Sequence, residues 1–154
     1  SLIKIGRSAA ITGFSIAIAP TISSNAYKGT LLKSGRLSVE VGTDGKPVVE
    51  IGNKSYVSSN ILGNSDVWQS QPRATDGRWP AYTKLGSFSY VITYDGKAVR
   101  TFVNGLNDQY IPFKRLTLTD VKIGDFAGSM RNCSIYKRVL NADEVKAYTV
   151  TLYP

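Results

Sequence analysis

Residues 86–105, GSFSYVITYDGKAVRTFVNG, constrain this chain more than any other stretch. Two runs rich in β-branched and aromatic residues flank Asp95-Gly96, a dipeptide suited to a two-residue hairpin turn because Gly accepts positive φ and Asp tolerates it. Counting outward from that turn sets Ile92 against Val99, Tyr90 against Thr101 and Phe88 against Val103 on a largely apolar face. Ser89, Val91 and Thr93 then lie with Phe102, Arg100 and Ala98 on a mixed face. One apolar face and one mixed face are what an antiparallel pair in a sandwich requires. Asn104-Gly105 supplies a second turn signal.

The rest of the chain repeats this pattern. SLIKI opens as a short strand. In GFSIAIAP, Phe14, Ile16 and Ile18 alternate with small residues, and Pro20 is expected to end the run. Leu37, Val39 and Val41, a turn at Thr43-Asp44-Gly45-Lys46, and Val49 with Ile51 make another hairpin, with Pro47 where a lost donor does least harm. Residues 53–57 add a short strand. Leu106–Arg115 reads as a connector, and Leu116–Leu118, Val121–Ile123 and Ser129–Tyr136 as strands. One helix is expected near residues 142–148. Asn141 is its N-cap, Glu144 completes a capping box, and Leu140 with Val145 forms the hydrophobic staple. YTVTLYP reads as a closing strand.

Long helical periodicity is missing, so the class is all-β, and 154 residues suit a single domain over 1–154. No apolar run reaches the length of a membrane span. Cys133 is alone, so no internal disulfide forms, and it reads as a packed small hydrophobe. The chain has 19 Lys and Arg against 11 Asp and Glu and no His. Residues 1–39 hold no acid but include Lys4, Arg7, Lys28, Lys33 and Arg36. That balance favours an anionic partner such as a cell surface or polysaccharide. No basic helix or stacking motif points to nucleic acid.

The order of signals resembles the concanavalin A-like jelly rolls of the laminin G/pentraxin kind. The hairpin GSFSYVITYDGKAVRTFVNG is similar to that family's YDG…NG hairpin. VKIGDFAGSMRNCSIYKRVLNADEVKAY is similar to its ending, an IG strand, an FxG strand and a short helix. GFSIAIAP and GTLLKSGRLSVEVGTDGKPVVEIG match earlier strands. The resemblance implies an antiparallel two-sheet jelly-roll sandwich with one short helix. Phe88-Ser89 replaces the family's usual Trp dipeptide, and Met130-Arg131-Asn132 lacks its acidic pair. Members of this kind often bind calcium, and Asp108 and Asp125 are the candidates by position. Because no cluster of acids accompanies them, no metal or other cofactor is expected.

Catalysis is not expected. A glycosidase needs two carboxylates at fixed separation, and the fold's Glu-x-Asp-x-Glu strand is absent, with only Glu40, Glu50 and Glu144 available. The expected function is a non-catalytic binding or assembly module. It would recognise a glycan or anionic surface, or neighbouring subunits, as an extracellular component or as a fibre, coat or decoration protein on a virion surface. The alternatives are a purely structural homo-oligomerising module and a glycoside hydrolase of the same fold. The candidate ligand site is the 66–82 segment of the aperiodic stretch 58–85. Trp68, Trp79 and Tyr82 offer flat faces for sugar rings, while Arg73, Asp76 and Arg78 offer charged hydrogen bonds. The competing reading is that the two Trp side chains pin that segment or fill a subunit interface.

Overall fold

The computed structural model describes residues 2–3, 13–22, 29–42, 45–59, 86–126 and 128–152. In chain order the strands are β1 (Leu2–Ile3), β2 (Phe14–Ile22), β3 (Gly29–Ser34), β4 (Leu37–Val41), β5 (Pro47–Ile51), β6 (Lys54–Val57), β7 (Gly86–Ser87), β8 (Tyr90–Tyr94), β9 (Ala98–Val103), β10 (Leu106–Pro112), β11 (Val121–Ile123) and β12 (Gly128–Tyr136), followed by helix α1 (Ala142–Leu152). One sheet runs β1-β11-β3-β4-β5-β6. The other runs β10-β9-β8-β2-β12, with β7 beside β2. Every pairing is antiparallel.

The main core lies between the sheets. Leu37, Val39, Val41, Val49 and Ile51 meet Phe14, Ile16, Ile18, Tyr90, Ile92 and Tyr94 across it. The β4–β5 sheet keeps its strict alternation, with Ser38, Glu40 and Glu50 on its other side only partly covered. The β2–β8 sheet is buried on both sides. Its second side carries Ala17, Val91 and Phe102, and Leu140 and Val145 cover them. Small residues at 15, 17 and 19 leave room on β2 for the helical segment to approach.

The central hairpin forms with its expected faces but a different register. Tyr90 pairs Val103, Ile92 pairs Thr101 and Tyr94 pairs Val99. The loop residues are therefore Gly96 and Lys97. Asp95 causes the difference, because its Oδ1 accepts the Lys97 and Ala98 amides at 2.8 and 2.9 Å. Gly96 takes φ 91° at the first loop position, as a type II′ turn requires. At the next turn Asn104 and Gly105 both take positive φ, 52° and 83°, as in a type I′ turn.

Asp95 also binds Arg100 at 2.9 Å. The Lys97 amide bond, with Ala98 and Arg100 behind it, pulls the Asp95 carboxyl down to about 2. A carboxylate depressed in the fold stabilises it above its unfolded value and loses that contribution as pH falls through its folded value. Asp95→Asn is therefore expected to lose a modest, solvent-screened stability above about pH 4. The difference from the parent chain should shrink towards pH 2, which urea titrations across that range would read. A constant difference at every pH would contradict it.

Three other segments before the helix depart from the sequence reading. Strand β2 continues through Pro20 to Ile22. Pro20 falls where the β8 ladder has stopped at Ile18 and the β7 ladder begins at Thr21, opposite a bulge in β12. Residues 106–112 form an edge strand rather than a connector. Its period is broken by a bulge that sets Asp108 and Gln109 between the Asn107–Phe102 and Tyr110–Arg100 pairs. Residues 116–118 lie outside both ladders, although Leu116 and Leu118 are buried.

Candidate cleft between the helix and its edge strand

The capping box forms as read. The Asn141 amide donates to Glu144 Oε1 at 3.2 Å, and the Glu144 amide donates to Asn141 Oδ1 at 2.9 Å. Leu140 and Val145 are both buried, as a staple requires. The helix then runs through Leu152, so the expected closing strand is helical and Val150 is 63% exposed. The β-branched tail holds helical geometry while the Thr149 and Thr151 hydroxyls donate to the carbonyls four residues back.

That longer helix creates a site. Glu144, Ala147, Tyr148 and Thr151 recur at helical spacing on one face. Opposite them, β12 directs Asn132, Ser134 and Tyr136 to the same side, as their pairing with Ala19, Ala17 and Ser15 requires. Together with Arg138 and Leu140 these residues line a cleft of about 440 Å³. That volume lies within the range of small-ligand sites.

Polar contacts order the cleft. Tyr148 and Ser134 donate their hydroxyls to Asn132 Oδ1, at 3.0 and 3.2 Å. Arg138 Nη2 meets Glu144 Oε2 at 2.6 Å, and the guanidinium lies 5.6 Å from the centre of the Tyr136 ring. The Arg138 hydrogen bond, then the Asn141 amide, hold the Glu144 carboxyl below its ordinary value. The same bond raises Arg138. Ser15, fully buried in β2, fixes the turn between strand and helix: its hydroxyl donates to Arg138 O at 2.8 Å and accepts the Leu140 amide at 2.8 Å. The cleft can thus offer two aromatic rings and a set of neutral and charged hydrogen-bonding groups. Its described lining contains one carboxylate.

The residues singled out in the sequence, Trp68, Arg73, Asp76, Arg78, Trp79 and Tyr82, lie outside the described residues. Asp108 accepts the Ser58 hydroxyl at 2.6 Å and lies 3.4 Å from Thr101 Oγ1, which ties the β6 end to β10. Burial first, and the Asp108 charge second, push the nearby Tyr90 hydroxyl upward. Asp125 is exposed at φ 96°. Among the described residues no three of His, Cys, Asp or Glu come together. Cys133 is half-buried against the main core, and burial pushes its thiol up. Among the described residues no helix is long and apolar enough to cross a membrane.

No protein-family model matches this chain, and no curated protein does. Solved structures do. A Bacteroides ovatus protein described as a candidate carbohydrate-binding protein superposes with a TM-score of 0.65 at 13% identity, over 95% of this chain and 43% of its own. A botulinum neurotoxin type C structure, whose cell entry depends on two ganglioside molecules, superposes at 0.60 and 15% identity, over 92% and 36%. Trypanosoma rangeli sialidase superposes at 0.64 and 12%, over 91% and 23%. The chain therefore spans less than half of each, and at such identities the likeness is one of β-sandwich fold.

Proposed function

We propose that this chain is a non-catalytic, surface-recognising β-sandwich of the laminin G/pentraxin kind that binds saccharide in the cleft between α1 and β12. The observation that carries this is the convergence there of Tyr136, Tyr148, Asn132, Ser134 and the Arg138–Glu144 pair. Aromatic rings give flat apolar faces for a pyranose, and the polar groups fix its hydroxyls. Two of the fold neighbours are described as carbohydrate-binding or ganglioside-dependent, which supports the same reading. Glycoside hydrolysis fits less well: it needs two carboxylates, whereas among the described residues Glu144 lines the cleft without a second one and is already bonded to Arg138. We place the module at an extracellular or virion surface, with Trp68, Trp79 and their neighbours as a further contact.

Calorimetric titration against a panel of oligosaccharides tests the site. Tyr148→Ala is expected to weaken binding at least about tenfold, roughly 1.4 kcal/mol. An unchanged affinity would remove the cleft from the account. A second reading, an assembly module, draws on Val57, Leu106, Tyr110 and Val150, each at least 60% exposed. Light scattering would show a stable oligomer in that case.

A further inference from the structure

We propose that the cleft selects uncharged saccharides and reads two neighbouring hydroxyls with the Arg138–Glu144 pair. This rests on the sugar-binding reading above and adds the ligand's charge and the groups that sense it.

The chain's net charge of +8 would suggest an acidic ligand, but the cleft does not share it. Among the described residues its charged lining is Arg138 and Glu144, which neutralise each other at 2.6 Å; the rest of the described lining is uncharged. Glu144 is held in place. Its Oε1 accepts the Asn141 amide, its own amide is bound by Asn141, and it sits in the first turn, where the helix favours a negative charge. An acidic ligand drawn to Arg138 would therefore bring a second negative charge beside a fixed carboxylate.

A neutral sugar meets no such opposition. A guanidinium has five N–H donors and a carboxylate about four acceptor sites. The contacts within the pair and to Asn141 use only part of that capacity, leaving donors and acceptors side by side. Each sugar hydroxyl both donates and accepts, and neighbouring hydroxyls on a pyranose are spaced about a hydrogen bond apart. One can give its proton to Glu144 while its neighbour accepts from Arg138. A carboxylate or sulfate, which only accepts, satisfies Arg138 and leaves Glu144 repelled.

The experiment is calorimetric titration of the whole chain with mannotriose, cellotriose, trigalacturonate and a sulfated heparin disaccharide, at about 50 and 500 mM NaCl. We expect a neutral trisaccharide to bind, with affinity changing less than about twofold across that range because no net charge is screened. Glu144→Gln keeps the capping box, since Gln serves there as Glu does. It is expected to weaken the neutral sugar about tenfold and to improve the acidic ones relative to it. Tighter binding of trigalacturonate or the heparin disaccharide, falling steeply with salt, would overturn the inference and leave the cleft a sugar site. No saturable heat with any of the four would remove both.

Discussion

Tyr94→Ala is expected to cost the fold about 3–5 kcal/mol, the range for removing a buried aromatic side chain, read as a lowered urea midpoint. Tyr94 is 1% exposed, and its ring centre lies 5.7 Å from that of Phe14. Its hydroxyl donates to Phe113 O at 3.0 Å and accepts the Leu116 amide at 3.1 Å. Residues 113–120 have no ladder of their own, so these two bonds, with the Ser34–Thr119 contacts, hold that crossing segment to the sandwich. Tyr94→Phe separates the terms. It keeps the ring and orphans a buried amide and a carbonyl, at about 1–3 kcal/mol. A phenylalanine variant as stable as the parent would mean that water or another donor replaces the hydroxyl.

Ser15→Ala should be nearly as damaging to the fold and more damaging to function. The Ser15 hydroxyl is buried and satisfies both Arg138 O and the Leu140 amide, 123 and 125 residues away. Removing it leaves the buried Leu140 amide and the part-buried Arg138 carbonyl unpaired at the start of the strand-to-helix turn, at about 1–3 kcal/mol for a group that water cannot reach. Because that turn aims Arg138, saccharide affinity should fall at least about tenfold under conditions where the variant remains folded. Ser34→Ala is the matched control. Its hydroxyl is equally buried and bonds Thr119 O, outside the cleft. It should lose stability and keep affinity. Equal loss of binding in both variants would show that the cleft responds only to general loosening.

The hairpin shows how far the sequence carried the fold. Asp95-Gly96 marked the turn, but the Asp95 carboxylate caps the Lys97 and Ala98 amides and moves the loop one residue on. The partner of each β8 residue therefore changes by two, and a change of two preserves every face. The apolar set read from alternation is consequently the set that fills the core. Residues 106–112 were illegible because a bulge interrupts their period. The tail YTVTL failed differently. Its β-branched residues favour a strand locally, yet a capped helix start and a buried Val145 carry the helix onward through Leu152.

The cleft was hidden for the same reason. With the tail read as a strand, Thr151 falls off the face that Glu144 and Tyr148 share, whereas helical spacing through residue 151 aligns all three. Nothing local indicates that Ser15 joins this region to β2, since that contact spans most of the chain. The capping box was legible as a cap. Its second use, holding Glu144 against Arg138, depends on the turn that Ser15 secures.

The most direct measurement is amide chemical-shift mapping of the labelled chain during titration with a neutral oligosaccharide that binds. The account predicts saturating shifts at Asn132, Ser134, Tyr136, Glu144, Tyr148 and Thr151, with β4 and β5 unmoved. Saturating shifts confined to other residues, such as Arg100 and Tyr110 or those of the 60–85 stretch, would contradict it.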